Sequence, residues 1–303
     1  MDGIRPDRTF EQAATRYLLE HQHLRSIVDM GIHLRGLLPY AGKLPLRLVH
    51  QGTFEPYIRD RLAAGVRQKT INNALSVARR VLNLSARLWR DDNGLTWLAT
   101  APLIQLPPVV EKARPYPLDM DEERRLFGAL PGYLSRMALF KVNVGAREQE
   151  VCQLRWAWER KVNGLSVFML PASLTKNGEE RLIVCNRVAQ SVIEGLRGEH
   201  PERVFHRDGK PLPKMYGRAW KLAWATVGLP AGDDITKGVH SLRHTFARRL
   251  RAAGVPLETR RVLLGHKSGD LTTHYSAPEI EELQSAVNRL CDSKPGTVLR
   301  AVG

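Results

Sequence analysis

Four short segments in the second half of the chain carry side chains suited to chemistry on a phosphate group. Guanidinium groups bind phosphate through forked N–H donors, histidine exchanges protons near neutral pH, and an activated tyrosine oxygen is a nucleophile. In chain order they are Arg147 with Glu150 in VGAREQEVCQLRW, Lys176 in LTKNGEERLIV, His240 with Arg243 and His244 in HSLRHTFARRL, and His266 with Tyr275 in LLGHKSGDLTTHYS.

Each of these residues, taken alone, also has a purely structural interpretation. Arg147 fits a surface position at a helix start, and Arg243 fits an ion pair with Asp233 or Asp234. His266 fits a cap on the helix that ends in LLG, and Tyr275 fits a half-buried core position. The order and spacing of the whole set favour a shared chemical role over these separate ones.

Metal and nucleotide cofactors are not expected. His240 and His244 have the i,i+4 spacing of a zinc pair, but Ser-Leu-Arg lies between them and Arg243 would repel a cation. The three cysteines form no C-x-x-C pair, which argues against a disulfide scaffold or a structural zinc site. P-loop, dinucleotide-binding and G-x-S-x-G motifs are absent from the sequence.

The hydrophobic pattern predicts a mostly α protein with a small antiparallel β-sheet. Apolar residues recur at helical spacing over 10–18 and 71–88 in the first half of the chain. Two short apolar runs, 166–170 and 181–185, predict strands joined by a turn around 176–178. Further helices are predicted over 133–144, 187–197, 214–227, 240–253, 256–264 and 279–290.

The chain length of 303 residues and one proline-rich stretch predict two domains. The stretch PPVVEKARPYP contains four prolines and has neither helical nor strand periodicity. We therefore expect a helical domain over 1–107, a linker over 108–117, an α+β domain over 118–292 and a frayed tail over 293–303. Because no apolar run reaches the ~20 residues of a membrane helix and no secretion signal begins the chain, a cytoplasmic protein is expected.

The charge of the chain favours a polyanionic partner. Lys and Arg total 46 against 31 Asp and Glu, a formal net charge of +15, and the excess is shared between both halves. Nucleic acid is the first candidate for such a partner, while an anionic membrane surface or a merely solvated face also fits. The basic residues of the predicted helix near 71–88 that would contact a phosphate backbone are Arg67, Lys69, Arg79, Arg80 and Arg87.

The motifs in this order and spacing resemble the tyrosine recombinase, or phage integrase, family. The resemblance is close over residues 113–290, and residues 1–107 resemble the helical core-type DNA-binding domain of the family loosely. The stretch LLGHKSGDLTTHYSAPEIEEL looks most like the integrases of prophages. The resemblance implies a site-specific recombinase that cleaves and rejoins DNA through a 3′-phosphotyrosyl intermediate without ATP or a metal.

The resemblance also implies a role for each matched residue. Tyr275 would be the nucleophile and Lys176 the proton donor to the leaving 5′-oxygen. The residues that would form the phosphate pocket are Arg147, Arg243, His240 and His266, with Glu150 in support and His240 as the general base. His244 is expected to be structural. The sequence departs from the family in having Val144 before Gly145 where threonine is usual.

The expected partner is double-stranded DNA, bound by a homotetramer. The apolar stripe of the last predicted helix, 279–290, fits either exchange into a neighbouring protomer or docking on its own domain. Integration or excision of a prophage or mobile element is the expected function. The alternatives are chromosome-dimer resolution, a type IB topoisomerase and a DNA-binding regulator without catalysis.

Overall fold

The chain folds into two compact units, Met1–Glu111 and Lys112–Gly303. The computed structural model describes residues 5, 7–109, 113–175, 178–232, 234–235, 238–266 and 277–292, without the side chains of 277 and 278. Lys176, Tyr275 and the tail 293–303 lie outside the described residues, as do residues 110–112 of the expected linker. Helices dominate both units and one small sheet is present, so the predicted fold class is confirmed.

In its described residues, the first unit is built from four α-helices around one apolar core. They are α1 (Phe10–Glu20), α2 (Ile27–Ala41), α3 (Gln51–Ala63) and α4 (Gln68–Arg87). The hydroxyl of Thr9 accepts from the Gln12 N–H and so begins α1 as an N-cap. The longest helix, α4, packs against the other three and buries Ile71, Leu75 and Leu82 on one face.

The second unit places a three-stranded antiparallel sheet among eight helices of the described chain. Its helices are α5 (Met120–Ala129), α6 (Gly132–Val144), α7 (Glu148–Cys152), α8 (Arg187–Glu194), α9 (Arg218–Thr226), α10 (His240–Ala252), α11 (Leu257–Leu264) and α12 (Ala277–Asp292). The strands are β1 (Glu159–Val162), β2 (Leu165–Leu170) and β3 (Arg181–Val184), in the order β1-β2-β3.

The sheet separates two parts of the core because successive strand residues point to opposite faces. Phe168 and its partner Ile183 join the core around the central helix α6. Val167 and its partner Val184 join a second cluster with Phe246 of α10. The predicted strands 166–170 and 181–185 are thus confirmed, whereas β1 was not predicted, because its ERKV sequence is polar and only half-buried at its ends.

The last helix, α12, docks on its own unit in the single chain. Leu283, Ala286 and Val287 are buried in the cluster that contains Phe246, and the Gln284 amide donates to the Val162 carbonyl at 2.8 Å. In the single chain, α12 therefore covers its apolar stripe with its own domain, which is one of the two arrangements that the sequence left open. No helix in the described parts of the chain combines the length and the apolar character that a membrane span needs.

Candidate active site

The turn between α6 and α7 sets the position of Arg147. Gly145 ends α6 in the left-handed conformation, with φ 64°, and a Cβ there would lie 2.2 Å from the ring of Phe246. Glycine is therefore required on both backbone and packing grounds. Arg147 follows as the cap of α7, and its guanidinium donates to the Glu150 Oε1 atom at 2.9 Å and to the Gly265 carbonyl at 3.0 Å.

Arg243 lies on the first turn of α10 and reaches the same turn from the other side. Its side chain is buried, and it donates to the Gly145 carbonyl at 2.7 Å and to the Leu264 carbonyl. Asp234 instead pairs with Arg114, so the ion pair with Asp234 considered for Arg243 is not formed. The two arginines converge on one point because both bind the end of α11.

Three consecutive carbonyls at the end of α11 each accept from a different arginine. Leu263 accepts from Arg181 at 3.2 Å, Leu264 from Arg243, and Gly265 from Arg147. The last carbonyls of a helix have no partner within the helix and carry partial negative charge, so guanidinium groups are natural caps for them. The next residue along the chain is His266, and these three hydrogen bonds therefore hold it beside the arginines.

Glu150 is the buried anion of this cluster. Its carboxylate accepts from the Arg147 backbone N–H at 2.6 Å and forms ion pairs with the guanidinium groups of Arg147 and Arg181. Burial acts to raise the pKa of Glu150, but the charge of Arg181 and the hydrogen bonds from Arg147 outweigh it and leave the pKa below its usual range. The carboxylate therefore stays ionised and orients both arginines.

Lys141 adds a further buried cation next to these groups. Its side chain is fully buried in α6, and its ammonium donates to the Ala146 carbonyl in the turn before Arg147. Burial, followed by repulsion from Arg243, lowers the pKa of Lys141 to about 7. A group with this pKa contributes less than a full positive charge at neutral pH, which lessens its repulsion of the arginines.

The three histidines lie within the field of the arginines. The rings of His240 and His244 pack edge to face, with centroids 4.7 Å apart, and the solvent-accessible His240 begins α10. Partial desolvation, followed by His244 and then by Lys141 and the two arginines, lowers the pKa of His240 to about 4. Desolvation, followed by Arg243 and Lys141, also lowers the pKa of His244. Desolvation together with the charges of Arg243 and Arg147 also lowers the pKa of His266. All three imidazoles are thus favoured in the neutral form.

Sequence reasoning located five of these residues but missed two. The five that the structure brings together are Arg147, Glu150, His240, Arg243 and His266. Arg181 and Lys141 were missed. The available signal was a charge at the edge of an apolar run for Arg181, in RLIVC, and within one for Lys141, in LFKVNV, since a buried charge needs a partner. Among the described residues, no group of three His, Cys, Asp or Glu is arranged to hold a metal ion.

The basic residues predicted in the first unit are exposed on or beside α4. Lys69, Arg80 and Arg87 share one face, because their separations of 11 and 7 residues are close to whole turns of the helix. Asn73, Ser76 and Asn83 fill the spaces between them. Arg67 precedes the helix as its N-cap, and Arg79 flanks the stripe. We call the six residues Lys69, Asn73, Ser76, Arg80, Asn83 and Arg87 the α4 stripe.

Comparison with known proteins gives the family. The family model described as "Phage integrase family" matches residues 118–282, more than half of the chain. The chain belongs to the phage integrase family. It is thereby a tyrosine-type site-specific recombinase, an enzyme that breaks and rejoins DNA strands.

Individual relatives are distantly similar in sequence. The integrase of Salmonella phage P22 is 24% identical over 90% of this chain and 77% of its own length. Transposase B from transposon Tn554 of Staphylococcus aureus is 24% identical over 75% of this chain, which spans 38% of that longer protein.

Solved structures share the fold. A lambda integrase(75–356) dimer bound to a COC′ core site has a TM-score of 0.68 and 17% identity, covering 89% of this chain and 98% of the other. A lambda integrase tetramer bound to a Holliday junction also has a TM-score of 0.68, with 16% identity, covering 88% of this chain and 80% of the other.

The lowered pKa of His240 tests its burial beside His244, Lys141 and the arginines. We expect its imidazole, followed by NMR and assigned with a His240→Asn variant, to titrate near pH 4 in the free protein. Replacing Arg147 by Gln should raise that pKa, because a nearby positive charge disfavours the imidazolium. A pKa near 6.5 in both proteins would show that His240 does not lie in the field of the arginines.

Proposed function

We propose that this recombinase integrates or excises the DNA of a prophage or another mobile element, with Tyr275 as its nucleophile. The observation that carries the proposal is the convergence of Arg147, Arg243 and His266 at the end of α11. Residues 118–292 would be the catalytic domain and residues 1–107 the core-type DNA-binding domain. The expected cytoplasmic location follows from the DNA substrate and stays a prediction.

Arg147 and Arg243 would bind the scissile phosphate. Each guanidinium has five N–H donors, and the contacts described above engage two of them in each arginine. The remaining donors suit the non-bridging oxygens, which gain negative charge as the phosphate becomes five-coordinate. His266 would donate a further hydrogen bond to the same group.

His240 and Lys176 would move the two protons of the reaction. A free tyrosine has a pKa of ~10, so about 0.1% is ionised at pH 7 and Tyr275 needs a base. The neutral imidazole of His240 would accept the phenol proton as the tyrosine oxygen attacks phosphorus. The bond from phosphorus to the 5′-oxygen then breaks, and Lys176 protonates that oxygen. Because the phosphotyrosyl bond keeps the energy of the phosphodiester, rejoining needs no ATP.

The α4 stripe would lie along the DNA backbone. Its three cations and the polar residues between them are all donors for phosphate oxygens, and the opposite face of α4 is fixed in the core. The Arg80 guanidinium also lies 5.8 Å from the centre of the Tyr17 ring, which restricts its position. Arg67 and Arg79 would contribute at the edges of the same contact.

The active assembly would be a homotetramer on DNA with α12 exchanged between protomers. The support is the lambda integrase tetramer described above and the stripe that α12 buries in the single chain. Release of α12 from its own unit would leave the apolar surface around Phe246 open to the α12 of a neighbour.

Covalent trapping tests the proposed nucleophile. We expect the protein, incubated with nicked duplexes from DNA beside its own gene, to form an adduct that peptide mass spectrometry locates at Tyr275. The Tyr275→Phe variant should form none, because it lacks the attacking oxygen. Tyr133→Phe, at a half-buried tyrosine beneath Arg207, is the matched control and should form the adduct.

Other results of that experiment would contradict the proposal. An adduct that persists in Tyr275→Phe rules out this nucleophile. An adduct with relaxed plasmid but no recombinant joints identifies a topoisomerase, and tight binding to the same site without any adduct identifies a regulator.

The salt dependence of DNA binding tests the α4 stripe. If Lys69, Arg80 and Arg87 each contact a phosphate, replacing all three by Ala should lower the slope of log Kd against log salt by ~0.9 per contact. Arg59→Ala, at an exposed arginine of α3 outside the stripe, is the control and should leave the slope unchanged. An unchanged slope in the triple variant would show that the stripe does not contact DNA.

A further inference from the structure

Arg181 is a buried cation that the proposed reaction does not use directly. It is the first residue of β3, a strand whose four residues are all buried, and 5% of its surface is exposed. A charge in such a position is costly unless hydrogen bonds and an opposite charge compensate for it. Its contacts therefore show what it does in the fold.

The Arg181 guanidinium joins β3 to two other segments of the catalytic domain. It forms an ion pair with the Glu150 carboxylate of α7 and donates to the Leu263 carbonyl at the end of α11. Its side chain also packs against Gly265, where a Cβ would lie 2.5 Å from the Arg181 Nε atom. Arg181 thus occupies the space that any side chain at position 265 would need.

We infer that Arg181 is a positioning residue for DNA strand cleavage, acting on Arg147 through Glu150 and on His266 through the backbone of residues 263–265. The inference rests on the proposed strand-cleavage function, and it assigns Arg181 no contact with the reacting atoms.

The charge of Arg181 also controls the ionisation of Glu150. The charged groups that interact with Glu150 are Arg147 at the N-cap of α7, Arg181 on β3, Arg243 on α10 and Lys141 on α6. Burial favours the protonated carboxyl, and Arg181 is the largest opposing influence. Without Arg181, the pKa of Glu150 rises, and the carboxylate that holds Arg147 is lost at a higher pH than in the wild-type protein.

The experiment compares Arg181→Met, Arg181→Lys and the control Arg136→Met, at an exposed arginine of α6. DNA binding and single-turnover cleavage of a nicked duplex are measured across the pH range in which each protein stays folded. We expect Arg181→Met to bind DNA as the wild type does but to cleave it ~10²-fold more slowly, the cost of a small misplacement of catalytic groups. The control should match the wild type in both measurements.

The pH profile separates positioning from a general loss of structure. The acidic limb of the cleavage profile should move to higher pH in Arg181→Met, and adding Glu150→Gln should abolish that movement because the titrating group is gone. Arg181→Lys keeps the charge, so it should cleave at an intermediate rate with the wild-type limb. If Arg181→Met does not fold, the Arg181→Lys variant decides, and a wild-type rate in it overturns the inference.

Two results would overturn the role of Arg181 while leaving strand cleavage intact. One is wild-type cleavage by Arg181→Met. The other is a fall in cleavage matched by an equal fall in DNA binding, with an unmoved acidic limb. If the wild-type protein itself forms no covalent adduct, the proposed function fails and this inference falls with it.

Discussion

The active site depends on one ionised carboxylate among several cations. Arg147, Arg181, Arg243 and Lys141 all lie in the field of Glu150, and at an effective dielectric constant of ~20 two like charges ~4 Å apart repel by ~4 kcal/mol. Without an anion, the cationic side chains would repel one another and would either move apart or lose their protons. Glu150 offsets this repulsion and, through its two oxygens, gives Arg147 and Arg181 fixed directions.

The carbonyls at the end of α11 complete that arrangement. They accept from three arginines, so the guanidinium groups are already oriented before a phosphate arrives. Groups that are oriented in advance need little reorganisation when charge develops in a transition state. The same contacts hold the backbone that leads into His266, and they therefore link the phosphate-binding residues to another member of the pocket.

The sequence could predict the helices and the local motifs because both depend on short spacings. Helical periodicity predicted α6 and α10 to within a few residues, and the motif that holds Arg147 and Glu150 spans one helical turn, within which the two side chains are in contact. Arg181 could not be assigned in this way, since its partners Glu150 and Leu263 come from distant segments. Lys141 bonds to the nearby Ala146 carbonyl, but Arg243, whose charge lowers its pKa, lies about one hundred residues away. The docking of α12 was equally open, because an apolar stripe does not specify which surface covers it.

Two glycines that the fold requires also show what a sequence pattern cannot reveal. The structure explains Gly145 of the first motif by the ring of Phe246, about one hundred residues away. Gly265 is likewise fixed by the side chain of Arg181. Tertiary contacts of this kind decide which residues a motif tolerates, and they become visible only when the chain is folded.

The titration of the Glu150 carboxyl tests the central claim most directly. It can be followed by NMR of the glutamate side-chain carboxyl carbons, with Glu150→Gln to assign the signal. We predict that Glu150 titrates below the usual range for glutamate, because Arg181 and Arg147 outweigh the effect of burial. A Glu150 carboxyl that titrates at or above that range would contradict the account, since the arginines would then lack the anion that holds them.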